Sequence, residues 1–294
     1  MPSFVSKVLR EQLRLLKPIV RRATIRDARI VQNKYGELGA RAAAAKVDFV
    51  PEPFENFRAS WVVPKELADP GRAILYLHGG GYTAGHLEYA LGFGSLLASR
   101  TGLRVLCAAY RLAPEFVFPA AVEDALAAYR RLLEQYSADS ISLAGESAGG
   151  GLIYCLCLKL KELGMPLPRS IVALSPWSDL AMTGDSYTSN LECDPSLVKE
   201  SLAYYAQLYA KDQLTDPLVS PLYGDLRGLP PSLIIAGSDE LLRDDSTRLY
   251  DKLVASGCEA ALDVVEGMWH VFVVFSIPEA QDAIDRICEF IKEK

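Results

Sequence analysis

From Arg72 onward the chain alternates short apolar runs with longer stretches of helical periodicity, and this alternation narrows the choice of fold more than any other feature. The runs are RAILYLHGG, RVLCAAY, SISLAGE, SIVALSPW, PSLIIAGSD and AALDVVEG. Each is rich in Ile, Val, Leu or Ala, and most close on Gly, Ser, Pro or Asp. A strand buried on both faces reads as a continuous apolar run, and parallel neighbours need crossover helices between them. The pattern therefore predicts an α/β domain with a mostly parallel sheet and helices on both faces. Ahead of it, VDFVP and FRASWVVP predict an antiparallel strand pair at one edge. Residues 1–46 and about 178–222 break the alternation, and both read as helical. The second, with Leu202, Tyr205, Leu208 and Tyr209 at helical spacing, is placed to overhang the crevice at the carboxyl ends of the strands.

Composition excludes several classes of function. Half of the 294 residues (50%) are hydrophobic and 23% are charged, enough to bury a full core and too apolar for a disordered chain. No apolar run approaches the ~20 residues that span a bilayer, and the N-terminus does not read as a signal peptide. Stable membrane insertion is therefore not expected, and a cytoplasmic location is the default. Cys107, Cys155, Cys157, Cys193, Cys258 and Cys288 lie mostly among apolar neighbours and read as reduced core residues. Cys155 and Cys157 point in different directions on a helix, so no metal pair is offered. Residues 1–46 carry eleven Lys or Arg against three Asp or Glu, a balance of +8 that leaves −14 for the rest. That acidic remainder argues against a nucleic-acid partner. Val5, Leu9, Leu13 and Leu16 recur at helical spacing, which predicts amphipathic helices packed on the acidic body, with surface membrane association as the alternative.

The chemistry concentrates in ISLAGESAGG, residues 141–150. Ser147 follows an apolar run and opens a helical pattern, so it sits on a tight strand-to-helix turn that only small residues at Gly145 and Gly149 accommodate. Ala148 then presents a backbone N–H at a helix start, where donors lack internal partners. HGGGY, residues 78–82, follows the first run; its bare glycine backbone can aim the Gly80 and Gly81 N–H groups at a developing oxyanion. A phosphate-binding reading is weak, because neither GxGxxG nor GK[ST] is present.

A serine hydroxyl needs a histidine base and a carboxylate to orient it. Of the three histidines, His78 opens the glycine loop, His86 follows eight residues later, and His270 follows the last apolar run in VVEGMWHVF. The order serine, acid, histidine points to His270 and to an acid after PSLIIAG, where Asp239 and Glu240 are adjacent. Spacing alone does not separate them.

Taken in order, HGGGY, YRLAPE (110–115), FPAAVED (118–124), GESAGG, SPWSDL, DPLVSPL (216–222), GSDELLRDD and GMWHVF resemble the hormone-sensitive lipase family of α/β-hydrolases, the bacterial HGGG carboxylesterases. The resemblance runs from about Val47 to the C-terminus. It implies an α/β-hydrolase fold with an eight-stranded sheet as the catalytic domain (47–294), and a helical cap built from residues 1–46 and the insert at 178–222. It implies a serine esterase acting on short- to medium-chain esters without metal or organic cofactor. Counting back from Asp244-Asp245 along the family's spacing selects Glu240; counting forward from Gly237 selects Asp239. Glu240 is assigned because an extra residue is absorbed more easily in the strand-end turn than in the following helix. Asp239 is then expected to be solvated or to cap that helix. The resemblance also implies an Arg111–Glu115 ion pair near the site and a scaffold role for Asp179, and Glu146 stands where many relatives carry Asp or Thr. Tyr82, Trp177 and Tyr205 are candidates to line an acyl pocket, set against the plainer expectation that each packs in the core. Related enzymes often pair through the edge strand and last helix, so a homodimer is an open expectation. The rival readings are an amidase, lactonase or carbamate hydrolase on the same site, or a ligand-binding relative without catalysis.

Overall fold

The computed structural model describes residues 1–294. Two helices lead the chain, α1 (Phe4–Val20) and α2 (Ile25–Ala43), followed by an antiparallel pair, β1 (Val47–Pro53) and β2 (Arg58–Pro64). The alternating part then runs β3 (Ala73–Leu77), α3 (Leu87–Thr101), β4 (Arg104–Ala109), α4 (Ala120–Leu133), β5 (Ile141–Glu146), α5 (Ala148–Glu162) and β6 (Ser170–Leu174). After β6 the insert contributes α6 (Ser186–Ser189) and α7 (Lys199–Ala210), and the chain closes with β7 (Ser232–Gly237), α8 (Arg243–Ala255), β8 (Ala260–Val265) and α9 (Pro278–Glu293). All six predicted apolar runs are strands of one eight-stranded sheet in the order β1-β2-β4-β3-β5-β6-β7-β8. β2 alone runs against the other strands, antiparallel to both β1 and β4; from β4 to β8 every pairing is parallel.

That order fixes where a site can form. The chain leaves β3 toward β4 on one side and returns to place β5 on the other, so the connections diverge between β3 and β5. A crevice opens at the carboxyl ends of two such strands. The glycine loop leaves β3 and Ser147 leaves β5, so both enter this crevice.

Alternate side chains of the central strands feed separate cores. Leu75 and Leu77 point to the face covered by α4, α5 and α8, and Ile74 and Tyr76 to the face covered by α3 and α9. Residues 1–46 are helical as predicted, and α2 lies tightly along α3: a Cβ on Gly36 would stand 2.3 Å from the Glu88 carbonyl oxygen. The packing predicted for α1 is only half realised. Leu9 and Leu13 pack against the core, but Val5 and Leu16 are exposed, because the helix docks on the side carrying Ser6, Arg10 and Lys17. No helix is long and apolar enough to cross a membrane. All six cysteines are free thiols.

Candidate active site

Ser147 occupies the turn from β5 to α5 with φ 55° and ψ −121°, a conformation that non-glycine residues rarely adopt. Its surroundings enforce this turn. A Cβ on Gly145 would lie 2.5 Å from the Gly149 oxygen, and one on Gly149 only 2.0 Å from the Leu77 oxygen. The Ser147 N–H donates to the Leu174 carbonyl at 2.8 Å, and the Ser147 carbonyl accepts the Trp177 N–H at 2.9 Å. These bonds pin the backbone and leave the hydroxyl to face the crevice.

The Oγ of Ser147 lies 2.9 Å from His270 Nε2, and His270 Nδ1 lies 2.7 Å from Glu240 Oε2. With Nδ1–H donating to the carboxylate, Nε2 is left to accept the serine proton. His270 sits on the loop after β8, held by the next residue: Val271 takes a left-handed φ of 53° and its N–H donates to Ser175 Oγ at 3.0 Å. Glu240 is fully buried at the end of β7, and its Oε1 accepts the Gly237 N–H at 3.0 Å. The insert braces this turn. Asn190 Nδ2 donates to the Glu240 carbonyl at 2.9 Å, and Asp194 accepts the Leu241 N–H at 2.8 Å.

Asp239 points elsewhere. Its carboxylate pairs with Arg10 of α1 and accepts from Ser238 Oγ, so it is neither simply solvated nor a cap for α8 as expected. The expected Arg111–Glu115 pair is also absent. Arg111 binds Asp124 at 2.8 Å and Glu123 at 3.1 Å, because the first turn of α4 brings those carboxylates under it. Glu115 pairs instead with Arg29 of α2 at 2.7 Å, and this guanidinium holds its carboxyl down to about 2. Asp179 is buried and held by Arg248, Thr183 and Tyr223.

The glycine loop lies against the serine: a Cβ on Gly79 would meet the Ser147 Cβ at 3.0 Å. The N–H groups of Gly80, Gly81 and Ala148 make no hydrogen bond within the chain, and Gly80 and Gly81 have φ values of 117° and 62°. His78 is structural. It stacks on Tyr110 at 4.5 Å, its Nδ1 meets the Gly79 oxygen at 2.7 Å, and burial lowers its pKa to about 4, so it is neutral near pH 7. His86 stands at the N-cap of α3, away from the serine relay.

Glu146 is the group that motif reading undervalued. Fully buried, it accepts the Gly79 N–H at 2.7 Å through Oε1 and the Tyr76 hydroxyl at 2.5 Å through Oε2. Burial raises its pKa to about 7 against the lowering effect of these hydrogen bonds. Its only sequence signal was a carboxylate next to the serine at the end of an apolar strand. Asn190 and Asp194 carried no signal at all.

Of the aromatic candidates, Tyr82 and Trp177 are core residues. Tyr82 stacks on Tyr209 of α7 with centroids 3.9 Å apart, and Trp177 lies 6.3 Å from Tyr82. Tyr205, half-buried, packs over Gly81: a Cβ there would lie 2.8 Å from its Cδ2.

A family model of the alpha/beta hydrolase fold matches residues 74–274. The chain is 40% identical over 238 residues to an acetyl-hydrolase of Streptomyces hygroscopicus, covering 80% of this chain and 79% of that protein. It is 36% identical over 231 residues to an esterase of Acinetobacter venetianus, covering 77% and 76%. Among solved structures, an esterase from the bacterial hormone-sensitive lipase family superposes with a TM-score of 0.89 at 37% identity, over 100% of this chain and 99% of that one.

Proposed function

This chain belongs to the α/β-hydrolase family of esterases and lipases, close to the bacterial hormone-sensitive lipases, and we propose that Ser147, His270 and Glu240 are its catalytic triad. The chain is an ester hydrolase; the finer reading is a serine carboxylesterase acting on short- to medium-chain esters. The observation that carries it is the unbroken relay from Ser147 Oγ through the imidazole to Glu240, 2.9 Å and 2.7 Å.

His270 takes the serine proton as Oγ attacks the ester carbonyl, and the buried Glu240 stabilises the imidazolium that forms. The carbonyl oxygen becomes an oxyanion held by the N–H groups of Gly80, Gly81 and Ala148, donors that are otherwise unpaired. The alcohol leaves with the proton from His270. Water, deprotonated by the same imidazole, then releases the acid and restores the serine. Each step uses groups of the chain itself and requires no cofactor.

Residues 1–46 and 178–222 form the cap over this crevice. Their mutual contacts support that reading: Lys17 donates to the Leu191 and Asp194 carbonyls at 3.0 and 2.6 Å, and Arg21 pairs with Glu200 at 3.6 Å. Tyr205, from the insert, bounds the acyl site above Gly81. The Streptomyces relative's name supports a short acyl preference. An acyl-chain series of p-nitrophenyl esters on wild type and Ser147→Ala tests the proposal, together with fluorophosphonate labelling. Turnover by Ser147→Ala, or an unlabelled wild type, would refute it.

A further inference from the structure

Helix α1 meets the molecule by a face on which Leu9 and Leu13 are interleaved with Ser6, Arg10 and Lys17. Arg10 donates to the Gly267 and Cys193 carbonyls at 3.0 and 2.9 Å, Lys17 reaches the insert, and the buried Ser6 binds Glu279 at 2.5 Å. At 100° per residue the opposite side carries Phe4, Val8, Leu15 and Ile19, all exposed: 80% for Phe4, 78% for Leu15 and 66% for Ile19. Helices on globular proteins usually turn their apolar side chains inward; apart from Leu9 and Leu13, this one leaves most of them in solvent.

Charge identifies the occupant. Lys7, Arg14, Arg21 and Arg22 are exposed on α1 and its C-terminal end, in a segment of +8 on a body of −14. A two-fold pairing of this face with a second copy would bring the same cations together, which disfavours it. Apolar side chains beside cations match an anionic lipid surface, where apolar groups enter the headgroup boundary and basic groups meet phosphates.

The stripe also leads to the catalytic crevice. Ile19 and Arg22 line a surface hollow of about 310 Å³ with Ala23. Ala23 also lines an adjoining hollow of about 650 Å³ with Arg26, Tyr204 and Tyr205. Tyr205 packs over Gly81 of the glycine loop.

We propose that the outer face of α1 is a reversible docking surface for anionic bilayers, presenting the crevice to esters dissolved in the membrane boundary. The substrate half of this inference rests on the hydrolase reading above; the docking half does not, and it is tested by binding alone. Full-length protein is floated with phosphatidylcholine vesicles and with vesicles containing phosphatidylglycerol. Wild type should float with the anionic vesicles, be released by raised salt, and stay behind with phosphatidylcholine. Phe4→Glu with Leu15→Glu, both at exposed positions away from the hollows, should weaken flotation about tenfold or more while hydrolysis of soluble p-nitrophenyl butyrate is unchanged. Circular dichroism verifies that the double variant is folded. Equal flotation of wild type and double variant, or no flotation with anionic vesicles, overturns the proposal. So does a wild-type dimer that the two substitutions dissociate, which would assign the stripe to a second copy. Protein that floats but hydrolyses no soluble ester would leave docking standing and sink the hydrolase reading instead.

Discussion

The Oε1 of Glu146 accepts the Gly79 N–H at 2.7 Å, so the residue before the serine holds the loop that carries the proposed oxyanion donors Gly80 and Gly81. One buried carboxylate thereby couples the end of β5 to the end of β3. Replacing it with Ala leaves the Gly79 N–H and the Tyr76 hydroxyl buried without an acceptor, at ~1–3 kcal/mol for each group. Glu146→Ala should lower both stability and kcat. Glu146→Gln keeps an acceptor for Gly79 and should retain most activity, as a soluble-ester assay will read.

The same residue predicts a pH dependence of stability. Burial raises its carboxyl from 4.5 to about 7, so the folded chain holds that proton more tightly than the unfolded chain. Its contribution is fully present below pH 4.5 and is lost as pH rises through about 7. Relative to Glu146→Gln, wild type should lose ~3 kcal/mol across that window, measured by urea unfolding at its two ends.

Two adjacent carboxylates should differ sharply under mutation. Glu240→Gln removes the charge facing His270 and should lower kcat by ~10³–10⁴, as for a triad acid made neutral. Asp239→Asn breaks only the Arg10 pair and should leave kcat within about threefold, since partly exposed ion pairs contribute little. Loss of activity in Asp239→Asn with near-normal Glu240→Gln would reverse the assignment of the acid.

Arg29 ties α2 to the site loops, donating to the Thr83 and Ala113 carbonyls at 2.8 and 3.0 Å and pairing with Glu115. Its guanidinium holds the Glu115 carboxyl at about 2, below the usual 4.5. The stabilising contribution is present above pH 4.5 and is lost as pH falls toward 2. In Arg29→Met the carboxyl should titrate near its ordinary value, as carboxyl-resolved NMR would show.

Close approach of α2 to α3 gives a packing test. A Cβ at Gly36 would strike the Glu88 carbonyl and the Tyr89 Cα, both backbone, at 2.3 Å. Gly36→Ala should therefore cost ~1–3 kcal/mol and push α2 outward, with Gln32 and Arg29 drawn away from the glycine loop. Thermal unfolding and KM on a soluble ester are the two readouts.

Sequence alone determined whatever a single segment enforces. Six apolar runs became β3 to β8 because a strand covered on both faces admits little else, and the turn at Ser147 follows from small residues at Gly145 and Gly149. The partners of charged side chains were decided only in three dimensions. Arg111 and Glu115 stand four residues apart, yet one is drawn to α4 and the other to α2; Asp239 and Glu240 are neighbours, yet Arg10 takes one and His270 the other. The outward face of α1 belongs to the same class, because its polar side found carbonyls and carboxylates supplied from far along the chain. Periodicity and small-residue turns act through the local backbone and are written in consecutive residues. A charge pairs with whatever opposite group the assembled fold delivers to its position, and that delivery depends on all the elements at once.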